Sequence, residues 1–85
     1  MVNEYLFNEI MSISSEKTIS LGLSINKMYQ FCKDIKILHD DKYNIYYQVD
    51  AKIVKEQVDD PSDLMELNQG GWVLSEDKNF LIFYI

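Results

Sequence analysis

Four acids crowd around the only proline: Asp59, Asp60, Asp63 and Glu66 in "DDPSDLME". Carboxylates at that density suit a hard cation, yet the stretch lacks the glycine that gives a calcium loop its sharp turn. Acids at the start of a helix are also what the helix dipole favours unaided. The only histidine, His39, stands beside Asp40 and Asp41 in "HDD". A histidine next to acids has the makings of a general base, but no serine or cysteine nucleophile accompanies it at a recognised spacing. Cys32 falls on the apolar side of a helical pattern, where a thiol serves as packing. No glycine-rich loop is available to cradle a phosphate. The expectation is a protein that is not an enzyme and carries no metal or cofactor.

Aromatic residues offer a different chemistry. Trp72, Tyr43, Tyr46, Tyr47 and Tyr84 have the faces to stack on bases or to fill a partner's pocket, or else they form core. Tyr46 stands out because it lies on the polar side of its strand.

The elements that position these residues can be read from spacing. Leu6, Ile10 and Ile13 recur at helical intervals behind a capping Asn3. Ser15 opens a second short helix, and Gly22 closes it. Ser24 caps a third, which puts Ile25, Met28, Tyr29, Cys32 and Ile35 on one face. Tyr43, Ile45, Tyr47 and Val49 alternate with Asn44, Tyr46 and Gln48, which predicts a strand over 43–49. "DAKIVKEQV" fits a short helix capped by Asp50, with a strand as the alternative. Asp60 and Pro61 open another short helix, ended by Gly70. "GWVLSEDKNFLIFYI" reads as a hairpin with a polar tip. Its last strand is apolar on both faces, so it is either central in the sheet or shared with a second chain. The fold class expected is α+β: N-terminal helices, then a small antiparallel sheet with a C-terminal hairpin at about 72–85. A homodimer through the C-terminal strand is the expected assembly.

Composition fits this picture. Hydrophobic residues make up 47% of 85 residues, enough for one small globular core. One cysteine excludes an internal disulfide and points to a reducing, cytoplasmic location. The acidic N-terminus is unlike a signal peptide, and no apolar run is long enough to span a bilayer. The formal charge is −6, with no arginine. It is unevenly placed: residues 17–36 hold four lysines against Asp34, whereas residues 37–77 hold ten acids against three lysines. Such asymmetry speaks of partners rather than of fold.

Residues 15–33 resemble the helix-turn-helix of bacterial and phage regulators. Leu21-Gly22-Leu23-Ser24 stands where those proteins turn, and Met28 and Phe31 where they anchor the recognition helix. "YNIYYQVDAKIVKEQV" beyond it is similar to the strand and helix of winged, excisionase-like members. The resemblance implies a recognition helix in the major groove. Asn26 and Gln30 then offer amides to adenine, and Lys27 and Lys33 meet phosphate or guanine. Lys17, on the preceding helix, holds the backbone. The sequence departs from the pattern at Lys17 and Thr18, and "HDDKY" is acidic where a wing is basic. The preferred expectation is a DNA-binding transcriptional regulator of a phage or mobile element. The alternative rests on size and charge, in which the chain resembles anti-CRISPR and anti-restriction proteins. It is an acidic inhibitor that occupies the basic channel of a nucleic-acid-handling enzyme, through Asp40, Asp41, Tyr46, Asp59, Asp60, Asp63 and Glu66.

Overall fold

Asn3 begins the first helix by turning its side chain back onto the chain. Its Oδ1 accepts the N–H of Tyr5 at 2.8 Å and of Leu6 at 3.3 Å, satisfying donors that a helix start leaves without partners. The structure, a computed structural model, describes residues 2–13 and 21–85. Within them run α1 (Glu4–Met11), α2 (Leu21–Tyr29), β1 (Lys36–His39), β2 (Ile45–Asp50), α3 (Ala51–Gln57), α4 (Pro61–Gln69), β3 (Val73–Leu74) and β4 (Phe80–Tyr84). The strands form one antiparallel sheet in the order β1-β2-β4-β3. The fold is α+β, as the sequence pattern predicts.

Local chemistry sets most of the boundaries. Asp50 accepts the Lys52 N–H at 2.8 Å and starts α3 directly from β2, so 51–57 is helix. Asp60 does the same for α4 through the Ser62 N–H, with Pro61 in the first turn. Residues Ser75–Asn79 form the tip between β3 and β4. There Asp77 accepts from the Ser75 hydroxyl at 2.6 Å and the Asn79 N–H at 3.0 Å.

The helix-turn-helix expectation meets a difference at its centre. Leu21-Gly22-Leu23-Ser24 is not a turn but lies within α2. Gly22 faces open space, with nothing within 4 Å of where a Cβ would stand. Ser24 is buried inside the helix, not at its cap. Its hydroxyl donates to the Gly70 carbonyl at 3.0 Å, and its own carbonyl accepts the Trp72 indole N–H at 3.2 Å. The preceding helix expected from Ser15 lies outside the described residues. The far end of the recognition helix differs too. Tight bonds from Gln30 N to Lys27 O and from Phe31 N to Met28 O end α2 at Tyr29. Residues 36–39 then form a strand.

The core lies between the helices and one face of the sheet. Phe7 and Met11 of α1, Met28 of α2, Val54 of α3, and Leu64 and Leu67 of α4 enclose Val49, Leu81 and Phe83. Trp72 is fully buried among them, 5.4 Å from the Phe83 ring centre to centre. Cys32 is also core.

β4 lies between β2 and β3. β2 pairs with it along its whole length and β3 with Leu81 and Ile82 on the other side, so little backbone edge is left there for the dimer expected through the C-terminal strand. Its two-sided apolar character belongs to a central strand.

Candidate functional site

Three of the five residues assigned to DNA do gather at one place. Asn26, Lys27 and Gln30 line an open groove between α2 and α4, with Leu23 and Glu66. The cation among them is already engaged. Lys27 Nζ lies 2.7 Å from Asp63 Oδ1 and 3.1 Å from Glu66 Oε2, and 5.6 Å above the centre of the Phe31 ring. The bond to Asp63 raises the Lys27 pKa above its usual value against the opposing effect of burial, and Glu66 adds to the rise. Lys33 is exposed, beyond the end of α2, with Asp34 next to it. Lys17 lies outside the described residues.

The acids named for a partner surface are also dispersed. Asp63 and Glu66 face Lys27. Asp60 caps α4. Asp40 organises the β1–β2 turn, accepting the Lys42 N–H, the Asn44 N–H and the Asn44 amide at 2.9, 2.9 and 3.1 Å. The same turn holds Tyr43 at φ 63°, a left-handed conformation unusual for a tyrosine. Asp41 and Asp59 are exposed. Among the described residues no three histidine, cysteine or acidic side chains come together as a metal site. His39 ends β1 exposed, its ring 5.9 Å from that of Tyr43.

These bonds have a measurable consequence. Asp40 is held below the usual carboxylate range first by the Asn44 N–H, Asp60 by the Ser62 N–H, and Asp77 by the Ser75 hydroxyl. A lowered folded pKa contributes stability that is present above the unfolded value and is lost as pH falls through the folded one. Circular-dichroism melts are therefore expected to hold their midpoint above pH ~5 and lose it progressively below 3.8. A midpoint unchanged down to pH ~2.5 would contradict this role for the three caps.

The most distinctive surface is the sheet face away from the helices. Strand alternation and register place Lys36, Leu38, Tyr46, Gln48, Phe80, Ile82, Tyr84 and Val73 on it, and none of them is buried. Tyr46 stands opposite both Leu38 and Tyr84, with its ring centre 5.3 Å from that of Tyr84. At one end of this face lies the turn with Asp40 and Asp41. At the other are Asp50, Glu76 and Asp77. The β1–β2 hairpin also runs past the helices, leaving Ile37 64%, Ile45 50% and Tyr43 81% exposed. The sequence singles out Tyr46 and counts Tyr84 among several aromatics, without showing which face of its doubly apolar strand is covered. Leu38 is missed because β1 is missed.

No family model, no curated protein and no solved structure matches this chain. No described helix is long and apolar enough to cross a membrane.

Proposed function

We propose that this chain acts without catalysis, as an acidic protein-binding module that docks its open sheet face on a basic partner protein. An enzyme that handles nucleic acid presents such a surface. The observation that carries this reading is the row Leu38–Tyr46–Tyr84, with Leu38 and Tyr84 exposed, Tyr46 half-buried between them, and acids at both ends of the face. Exposed aromatic and aliphatic side chains in one patch are the composition of an interface centre. The flanking carboxylates favour a partner with a basic rim and would speed its approach. The regulator reading has less support: α2 runs through the would-be turn, and Lys27 is committed to Asp63 and Glu66.

The test has two arms. Labelled duplex DNA at roughly 50 mM salt is expected to give no titratable anisotropy change. Micromolar binding that weakens with salt and is lost in Lys33→Glu would instead support the regulator. In the second arm the immobilised chain is presented with host nucleic-acid enzymes. Retention that heparin reverses, and that the double variant Tyr46→Ser/Tyr84→Ser lacks, supports the module. Equal retention by wild type and the double variant would reject the sheet face.

A further inference from the structure

Among the described residues β1 is an edge strand, paired with β2 on one side only. Asp40 N donates to Asn44 O at 3.1 Å, so residues 40 and 44 form a hydrogen-bonded pair. Antiparallel pairs alternate between bonded and non-bonded. Lys36 and Leu38 therefore spend their backbone groups on Gln48 and Tyr46. The N–H and C=O groups of Ile37 and His39 point outward. The bond from Ile85 N to Ile45 O places 45, 47 and 49 in bonded pairs with β4, in agreement with this phase. No proline interrupts the edge, and Ile37 is its most exposed aliphatic residue.

We propose that this edge pairs with the same edge of a second copy of the chain, antiparallel, about a two-fold axis at Leu38. Charge selects both the occupant and the register. Three registers keep the outward groups of 37 and 39 in bonded pairs. With Ile37 opposite itself, Asp34 of one copy meets Asp40 of the other. With His39 opposite itself, Lys36 meets Lys42. With Ile37 opposite His39, Lys36 meets Asp40 twice, once on each side of the axis. Like charges directly opposite are unfavourable and opposite charges favourable. Only the last register is self-complementary, and it also uses all four outward groups of each copy.

This pairing joins two four-stranded sheets into one of eight strands. Tyr84, Tyr46 and Leu38 of one copy continue into Leu38, Tyr46 and Tyr84 of the other, in a single row. On the opposite face Ile37 of each copy comes beside His39 of the other, in line with Ile45 and Ile85. The edge is closed, and the row proposed above for a partner protein doubles in length. The dimer itself needs no partner.

Sedimentation of the isolated chain tests it directly, over roughly 5–500 µM. The mass is expected to rise from 10.0 kDa toward twice that value. Lys36→Glu sets like charges opposite Asp40 and is expected to weaken the dimer about tenfold. A cysteine scan reads the register. Leu38→Cys is expected to cross-link under mild oxidation, because residue 38 faces its own copy in a close non-bonded pair. Ile37→Cys and His39→Cys are expected not to. A wild type that stays at the monomer mass throughout overturns the proposal. So does cross-linking at 37 or 39 in place of 38. Tyr84→Ser leaves this edge intact, so losing partner capture while keeping the dimer separates the two readings.

Discussion

Trp72→Ala is expected to destabilise the protein by roughly 3–5 kcal/mol, as truncation of a buried aromatic does. Trp72 is fully buried, and its surroundings make it more than packing. Its indole N–H holds the Ser24 carbonyl in α2, while its own carbonyl accepts the Asn68 amide at 3.1 Å. Asn68 in turn donates to Ile13 O. Ser24 closes the circuit on Gly70, where an added Cβ would lie 2.6 Å from the Ser24 oxygen. One residue thus links α2, through its side chain, and α4, through its carbonyl, to the start of β3. A domain of this size has a total stability of about 4–13 kcal/mol, so the loss is a large part of it. Urea titration followed by circular dichroism measures it. Trp72→Phe keeps most of the volume and loses the donor, and is expected to fall between wild type and Trp72→Ala. A Trp72→Ala midpoint equal to wild type would show that the circuit does not hold the helices.

Lys27→Glu is expected to cost about 1–3 kcal/mol, between the small worth of exposed pairs and the large cost of breaking buried ones. The side chains of Lys27 and Asp63 are 23% and 28% exposed. The change removes two ion pairs and puts a third acid beside Asp63 and Glu66. Lys27→Met keeps the stem over Phe31 and is expected to cost less. Thermal melts of both variants decide the matter. The raised Lys27 pKa gives the sign with pH: this stabilisation is complete below the usual lysine value of 10.5 and fades as pH rises through the higher folded value. Lys27→Glu melting at the wild-type midpoint would mean that the contacts to α4 are inert. If the loss is as large as expected, a loss of any activity in Lys27→Glu reports on folding rather than on contact with DNA.

Much of the fold was legible because its signals are local. Asn3, Asp50 and Asp60 cap the helices that the pattern assigns to them, and Gly70 ends α4. The alternation over 43–49 found β2, displaced by a residue or two. What failed depends on distant contacts. Gly22 and Ser24 have the chemistry of a stop and a cap, but Ser24 is bound to residues 46 and 48 positions away. A glycine in a helix interior costs up to about 1 kcal/mol, a small penalty that tertiary packing can outweigh. β1 was concealed because Ile35 continues the helical spacing of Met28 and Cys32, while "IKIL" alternates equally well as a strand. The candidate site was less legible than the fold. Tyr46 is visible as an aromatic on a polar side. That Leu38 and Tyr84 flank it follows only from strand order.

The position of β4 also governs how the chain reaches this fold. Asp50 pairs with Phe80 and Tyr46 with Tyr84, so the central ladder closes around α3, α4 and β3. Bringing such distant partners together costs about 3 kcal/mol of chain entropy before any contact is gained. The β1–β2 hairpin has only a short loop to close and is expected to form before that ladder, with β2 unpaired on one side until the last described strand docks. During that interval the nascent sheet has two open edges, and the pocket for Leu81 and Phe83 is unfilled. The interval between making β2 and docking β4 is when this chain is most exposed to aggregation and to chaperones.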